Sequence, residues 1–251
     1  MLDKAFLEWL RAATEARWAD PTLRDAAAVG LGEPAWQPGT RWRGPLSASD
    51  LEIVEAMFSV TMPAAYRLFL GTLHTPDPAM AGTQSRAGRL VRVERRLFTD
   101  WTGPTTPIIA AFERPVAGLL QAASIGRWHP SWGERPTDAR ERDRVVRRLA
   151  AGAPRLIPFA GQRYLVAAAG VDDGPILAVH GAHLSAVAPD LRSGLLLELG
   201  LGDPAGGAAR SREGGLAGAP SGAAGPGPGI PFWGDLLGGI PWQPPGQPDP
   251  S

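Results

Sequence analysis

Cysteine is missing from the 251-residue chain. Its absence removes disulfide scaffolds, thiolate metal sites, cysteine nucleophiles and CxxC redox motifs together. No sign of charge dominates, since 25 basic residues face 25 acidic ones. That balance excludes an obligate polybasic nucleic-acid binder and an acidic solvating tail. Lysine occurs once, at Lys4, against 24 arginines, a preference that reads as GC-rich coding more than mechanism. No stretch offers the ~20 consecutive apolar residues of a membrane span. At the N-terminus, Asp3, Glu8 and Arg11 interrupt the apolar stretch that a signal peptide requires. The expected location is the cytosol, with no membrane association.

What is plentiful is apolar and small. Hydrophobic residues make up 44% of the chain, enough for a core, and 32 glycines and 26 prolines are spread unevenly. Residues 200–251 hold 15 of those glycines and 10 of the prolines. GGLAGAPSGAAGPGPG (214–229) cannot bury enough apolar surface to offset its chain entropy. The expected division is one α+β domain over 1–202, a flexible Gly/Pro-rich linker over 203–229 and a C-terminal segment over 230–251. Within that segment, 230–242 carries Ile230, Phe232, Trp233, Leu236, Leu237, Ile240 and Trp242. A patch of this size left in water promotes aggregation, so it is expected to dock on the domain.

Periodicity predicts the elements. Leu2, Phe6, Trp9, Leu10 and Ala13 recur at helical spacing over 3–18. In LSASDLEIVEAMF (46–58), Ser47 and Asp50 stand at the two positions of a capping box, with Leu51, Val54 and Phe58 as the buried stripe. Pro63 suits the start of a second helix lined by Tyr66, Phe69, Leu70 and Leu73. After a loop over 74–88, RLVRVERRLF (89–98) alternates as a strand does. A short helix is expected around Ile108 to Phe112, a strand at GLLQAA (118–123), and a helix from Asp138 to about residue 151. RLIPF, RYLVAA and GPILAVH then read as successive strands, and 189–199 as a closing helix.

LSASDLEIVEAMFSVTMPAAYRLFL (46–70) resembles the opening of the SUKH superfamily, carried by Leu46, Ile53, Glu55, Met62, Pro63, Tyr66, Phe69 and Leu70. WHPSWGERP (128–136), APRLIPFAGQRYL (153–165), GPILAVH (174–180) and IPFWGDLL (230–237) are similar to later blocks of a bacterial branch. Gln162 and Val166 depart from the histidine and proline of that branch. The resemblance implies an α+β fold, with a mainly antiparallel sheet flanked by helices. It further implies a non-catalytic protein-binding module, in some members an immunity protein that neutralises a secreted toxin. A stand-alone regulatory or scaffold protein of the same fold is the alternative, and an enzyme with a site outside known motifs is a third. No cofactor, catalytic residue or metal ligand is carried over.

Residue chemistry agrees with that expectation. His180 and His183 end a strand-like run. Residues three apart in a strand point to opposite faces, so joint metal ligation needs a turn between them. Asp172–Asp173–Gly174 reads as a turn. Between 86 and 148 there are 13 arginines against 7 acids, densest at Arg95–Arg96 and Arg147–Arg148. Such a face suits an acidic protein partner better than a phosphate backbone. The i,i+4 pairs Asp138/Arg142 and Asp143/Arg147 fit a plain solvated surface equally well. Trp128 and Trp132 are either core and loop anchors or interface residues. The candidate partner-binding residues are therefore Arg95, Arg96, Arg147, Arg148, Trp128 and Trp132, and the expected partner is a protein, not nucleic acid.

Overall fold

Local chemistry sets where the helices begin. In the computed structural model, which describes residues 2–20, 38–77, 80–86, 89–204, 230–237 and 239–241, helix α1 (Lys4–Trp18) opens on Asp3, whose carboxylate accepts from the Phe6 N–H at 2.8 Å. Helix α2 (Ala48–Phe58) opens on a complete capping box: Asp50 N–H donates to Ser47 Oγ, and Ser47 N–H donates to the Asp50 carboxylate. It ends at Ser59, whose left-handed backbone turns the chain toward Pro63 and helix α3 (Ala64–Leu70). Glu55 holds this corner, accepting from the Met62 N–H at 2.7 Å and pairing with Arg67. The helix pair expected from 46–70 is thus present.

The centre of the fold is a four-stranded antiparallel sheet in the order β5 (Arg155–Ala160), β6 (Arg163–Ala167), β7 (Ile176–His180), β8 (His183–Ala188). Both of its faces are covered. Ile157, Phe159, Leu165 and Ile176 meet α1, α2, α3 and the last helix, α6 (Leu191–Leu199). Leu156, Tyr164, Val166, Leu177, Val179 and Leu184 meet α4 (Thr105–Ser124), α5 (Ala139–Ala151) and the C-terminal segment. Burial on both sides explains why these strands read as near-continuous apolar runs although the pairing is antiparallel. Two smaller antiparallel pairs accompany the sheet: β1 (Arg41–Trp42) with β2 (Pro76–Asp77), and β3 (Met80–Arg86) with β4 (Arg89–Arg95). The protein is therefore α+β, with antiparallel sheets flanked by helices. No helix among the described residues is long and apolar enough to cross a membrane.

Two expectations need correction. GLLQAA (118–123) is not a strand but the last turns of α4, which continues the short helix expected near residue 108 through a buried Pro115. A six-residue apolar run cannot distinguish a buried strand from a buried helix segment, and Gly118 marks which it is. A Cβ there would lie 2.1 Å from the carbonyl oxygen of Gly181, so its absence lets α4 rest directly on the β7–β8 turn. The presumed loop 74–88 contains β2 and β3. The small, apolar GAHLSAVAP after His180 supplies β8.

Both edges of the central sheet are closed by the chain itself. On the β5 side Phe98 bridges Ala160, and the Thr99 N–H donates to the Phe159 carbonyl at 2.9 Å. On the β8 side Leu237 forms a parallel bridge with Leu184. Around that bridge Trp233, Leu236 and Ile240 are buried, and Trp233 Nε1 donates to the Pro154 carbonyl at 2.7 Å. The apolar segment at 230–241 thus packs back on the body. Residues 205–229, Trp242 and 243–251, on which the linker expectation and the rest of the docking expectation fall, lie outside the described residues.

Candidate functional site

Helix α5 begins at Asp138, whose carboxylate accepts from the Glu141 N–H at 2.8 Å, and it buries Val145 and Val146. That inward face leaves Arg140, Arg144, Arg147 and Arg148 exposed. The i,i+4 ion pairs expected along it do not form. Arg142 turns to the carbonyls of Pro136 and Thr137, at 3.0 and 2.7 Å, while Asp138 is committed to the cap. Glu141 pairs with Arg144 instead. Arg140, Arg147 and Arg148 have no ion-pair or hydrogen-bond partner among the described residues.

The other arginine pair does different work. Arg96 bridges Asp77, at 2.9 Å, and Asp100, also at 2.9 Å, and donates to the Pro76 carbonyl. Asp100 accepts in addition from Arg43 at 2.8 Å. Arg96 is thereby a clamp between β2 and the 96–100 segment, not a free surface cation. Arg95 closes β4, paired with Met80, and its side chain lies outside the described part of the structure.

Within this clamp lies His74, which sequence reasoning passed over. It is 1% exposed and held at φ 76°, a conformation that costs a non-glycine residue energy. Its Nε2 accepts from the Trp101 N–H at 3.2 Å, so that nitrogen carries no proton. Burial pushes its pKa down to about 4; Asp100 opposes the shift, and Arg43 and Arg96 reinforce it. Glu198 on α6 is a second buried group, raised to about 6 by burial against the pull of Arg163, which donates to it at 2.8 Å. Neither cluster has a local signature, because its parts come from distant stretches of the chain: His74 lies 27 positions from Trp101, Arg43 57 from Asp100 and Arg163 35 from Glu198.

Trp128 and Trp132 are interior residues. Trp128 is fully buried with Nε1 donating to the Gly133 carbonyl at 2.7 Å, and its ring meets Trp132 edge-on at 5.2 Å. Trp132 in turn stacks on Phe232 of the C-terminal segment at 6.3 Å. The chain covers both rings itself, and what they bind is its own residues 230–241. Asp172 and Asp173, expected in a turn, lie in a bend between β6 and β7: the Asp172 carbonyl accepts from the Ala65 N–H and the Asp173 carboxylate from the Leu191 N–H. His180 and His183 stand directly opposite one another in the β7–β8 register, joined by the two-residue turn Gly181–Ala182. Among the described residues no group of three or more histidine, aspartate or glutamate side chains could hold a metal ion. No protein-family model, curated protein or solved structure matches the chain.

Proposed function

We propose that the protein is a non-catalytic binding module, as its resemblance to SUKH proteins implies, and that its partner is an acidic protein such as a secreted toxin domain. The observation carrying this reading is the outer face of α5, where Arg140, Arg147 and Arg148 have no ion-pair or hydrogen-bond partner among the described residues while Arg43, Arg67, Arg96, Arg163 and Arg192 are each neutralised by a carboxylate of the chain. Arginine is the interface cation of choice, being planar, forked and weakly hydrated. Unpaired cations on one helix face accelerate encounter with an acidic surface. The strongly perturbed groups His74 and Glu198 also fit this reading, for both are buried against partners from the chain itself.

The test is the association rate against salt, with the partner that co-purifies from the native host. Arg147→Glu/Arg148→Glu is expected to slow association at least about tenfold at low ionic strength with unchanged melting temperature, and added salt is expected to erase the difference. Salt-independent association, identical in wild type and variant, would refute the role of α5. A chemically altered partner would refute the non-catalytic reading.

A further inference from the structure

A cavity of about 660 Å³ opens between the C-terminal half of α4, the β7–β8 turn and residues 239–241. Its volume is in the range of small-molecule sites. Gln121, Arg127, His180 and His183 line it together with Ile125 and Ile240, and no acidic side chain lies among its lining residues. The two imidazoles, opposite one another across the hairpin, point from the same face of the sheet. Neither has a hydrogen-bond or ion-pair partner among the described residues. Arg127 uses one guanidinium nitrogen to hold the Ile240 carbonyl at 2.8 Å, leaving its remaining donors for a ligand. Ile125 stands 65% exposed at the rim, an apolar surface with no cover of its own.

From this juxtaposition we infer that the cavity binds an organic carboxylate with an apolar body, a site separate from the arginine face of α5. The guanidinium fork matches a planar carboxylate in geometry and charge. The imidazole N–H groups and the Gln121 amide add donors, and Ile125 and Ile240 receive the apolar part. A metal ion is disfavoured at the same place, because two histidines fall short of the usual three or four protein ligands and Arg127 would repel the cation.

Calorimetry and amide NMR with 4-phenylbutyrate and its uncharged amide test the assignment on the full chain. The acid is expected to shift the Gly181 and His183 amide signals and to bind at least about tenfold more tightly than the amide. An acetylated tripeptide ending in phenylalanine, with a free or an amidated C-terminus, distinguishes a chain end from a free acid as the source: the better of the two acids identifies it. Gln121→Glu, exposed and nearly isosteric, introduces a negative charge without disturbing the Arg127–Ile240 contact, and is expected to weaken the acid at least about tenfold. His180→Gln/His183→Gln is expected to weaken it less. Equal binding of acid and amide, no hairpin shifts at millimolar acid, or affinity unchanged by Gln121→Glu would each overturn the inference. So would stoichiometric zinc held by the histidine pair in a protein that ignores the acid.

Discussion

His74 makes acid sensitivity calculable. Unfolded, its imidazole takes a proton near the ordinary 6.5, whereas in the fold burial delays this to about 4. Between those values the unfolded chain binds the proton and the folded chain does not, so stability falls as pH falls. The contribution is complete above pH 6.5 and is lost on the way down to about 4. By pH 4.5 the loss amounts to about 2.5 kcal/mol, at 1.36 kcal/mol per pH unit. Glu198 acts with the opposite sign. Its folded pKa is raised from 4.5 to about 6, so the folded state gains that proton first and stability rises over the same interval. The wild-type profile is therefore a difference of two slopes, and a variant is needed to separate them. His74→Asn removes the titration and tolerates the positive φ of the position. Urea unfolding at pH 7, 6, 5 and 4.5 measures the gap between the two proteins. The hydrogen bond from Trp101 lost in the variant contributes equally at every pH and cancels from the trend. The gap is expected to shrink by about 2.5 kcal/mol from pH 7 to 4.5. A gap independent of pH would show that His74 is protonated as readily in the fold as in water, and the electrostatic account of the clamp would fail.

Glu198→Gln keeps an acceptor for Arg163 and removes the second slope, so its stability is expected to fall by about 1 kcal/mol more than that of the wild type between pH 6 and 4.5; the same urea series reads it. Gly118→Ala is expected to destabilise by about 1–3 kcal/mol, because its Cβ meets backbone of Gly181. Gly194→Ala, whose Cβ overlaps the end of the Ile176 side chain and otherwise touches Phe159 at an ordinary contact distance, should lower the melting temperature less. Ending the chain after Leu201 uncovers the pocket of Trp233, Leu236 and Ile240 and is expected to lose several kcal/mol, at roughly 1.5–3 kcal/mol per large side chain; equal melting temperatures would refute the docking energetics.

The parts legible in the sequence were those fixed by neighbours. The Ser47–Asp50 box, the Pro63 start, the Tyr66–Phe69–Leu70–Leu73 stripe and the strands β5, β6 and β7 all rest on contacts or spacing within a few residues. What failed depended on distant partners. Residues 118–123 are the last turns of α4, seated through Gly118 on Gly181, 63 positions away. Arg96 and Arg147 look alike in sequence, yet one is a clamp on Asp77 and Asp100 and the other stands free among the described residues. Of the tryptophans that composition offered as interface anchors, Trp128 meets Trp132, and Trp132 meets Phe232, a hundred residues further on. His180 and His183 came together through the two-residue turn that ligation would have required, and their cavity contains groups from three separate elements.

The bridge between Leu184 and Leu237 also bears on the order in which the protein is made. Chains emerge from the ribosome N-terminus first, at about 5–20 residues per second. Strand β8 is therefore in place seconds before the segment that completes its outer edge. During that interval the edge presents open backbone donors and acceptors, a template for pairing with a neighbouring chain. The 53-residue separation between the bridged leucines thus sets a window in which nascent copies on one message are exposed to each other. Slowing translation between codons 189 and 230 lengthens that window without changing a single residue.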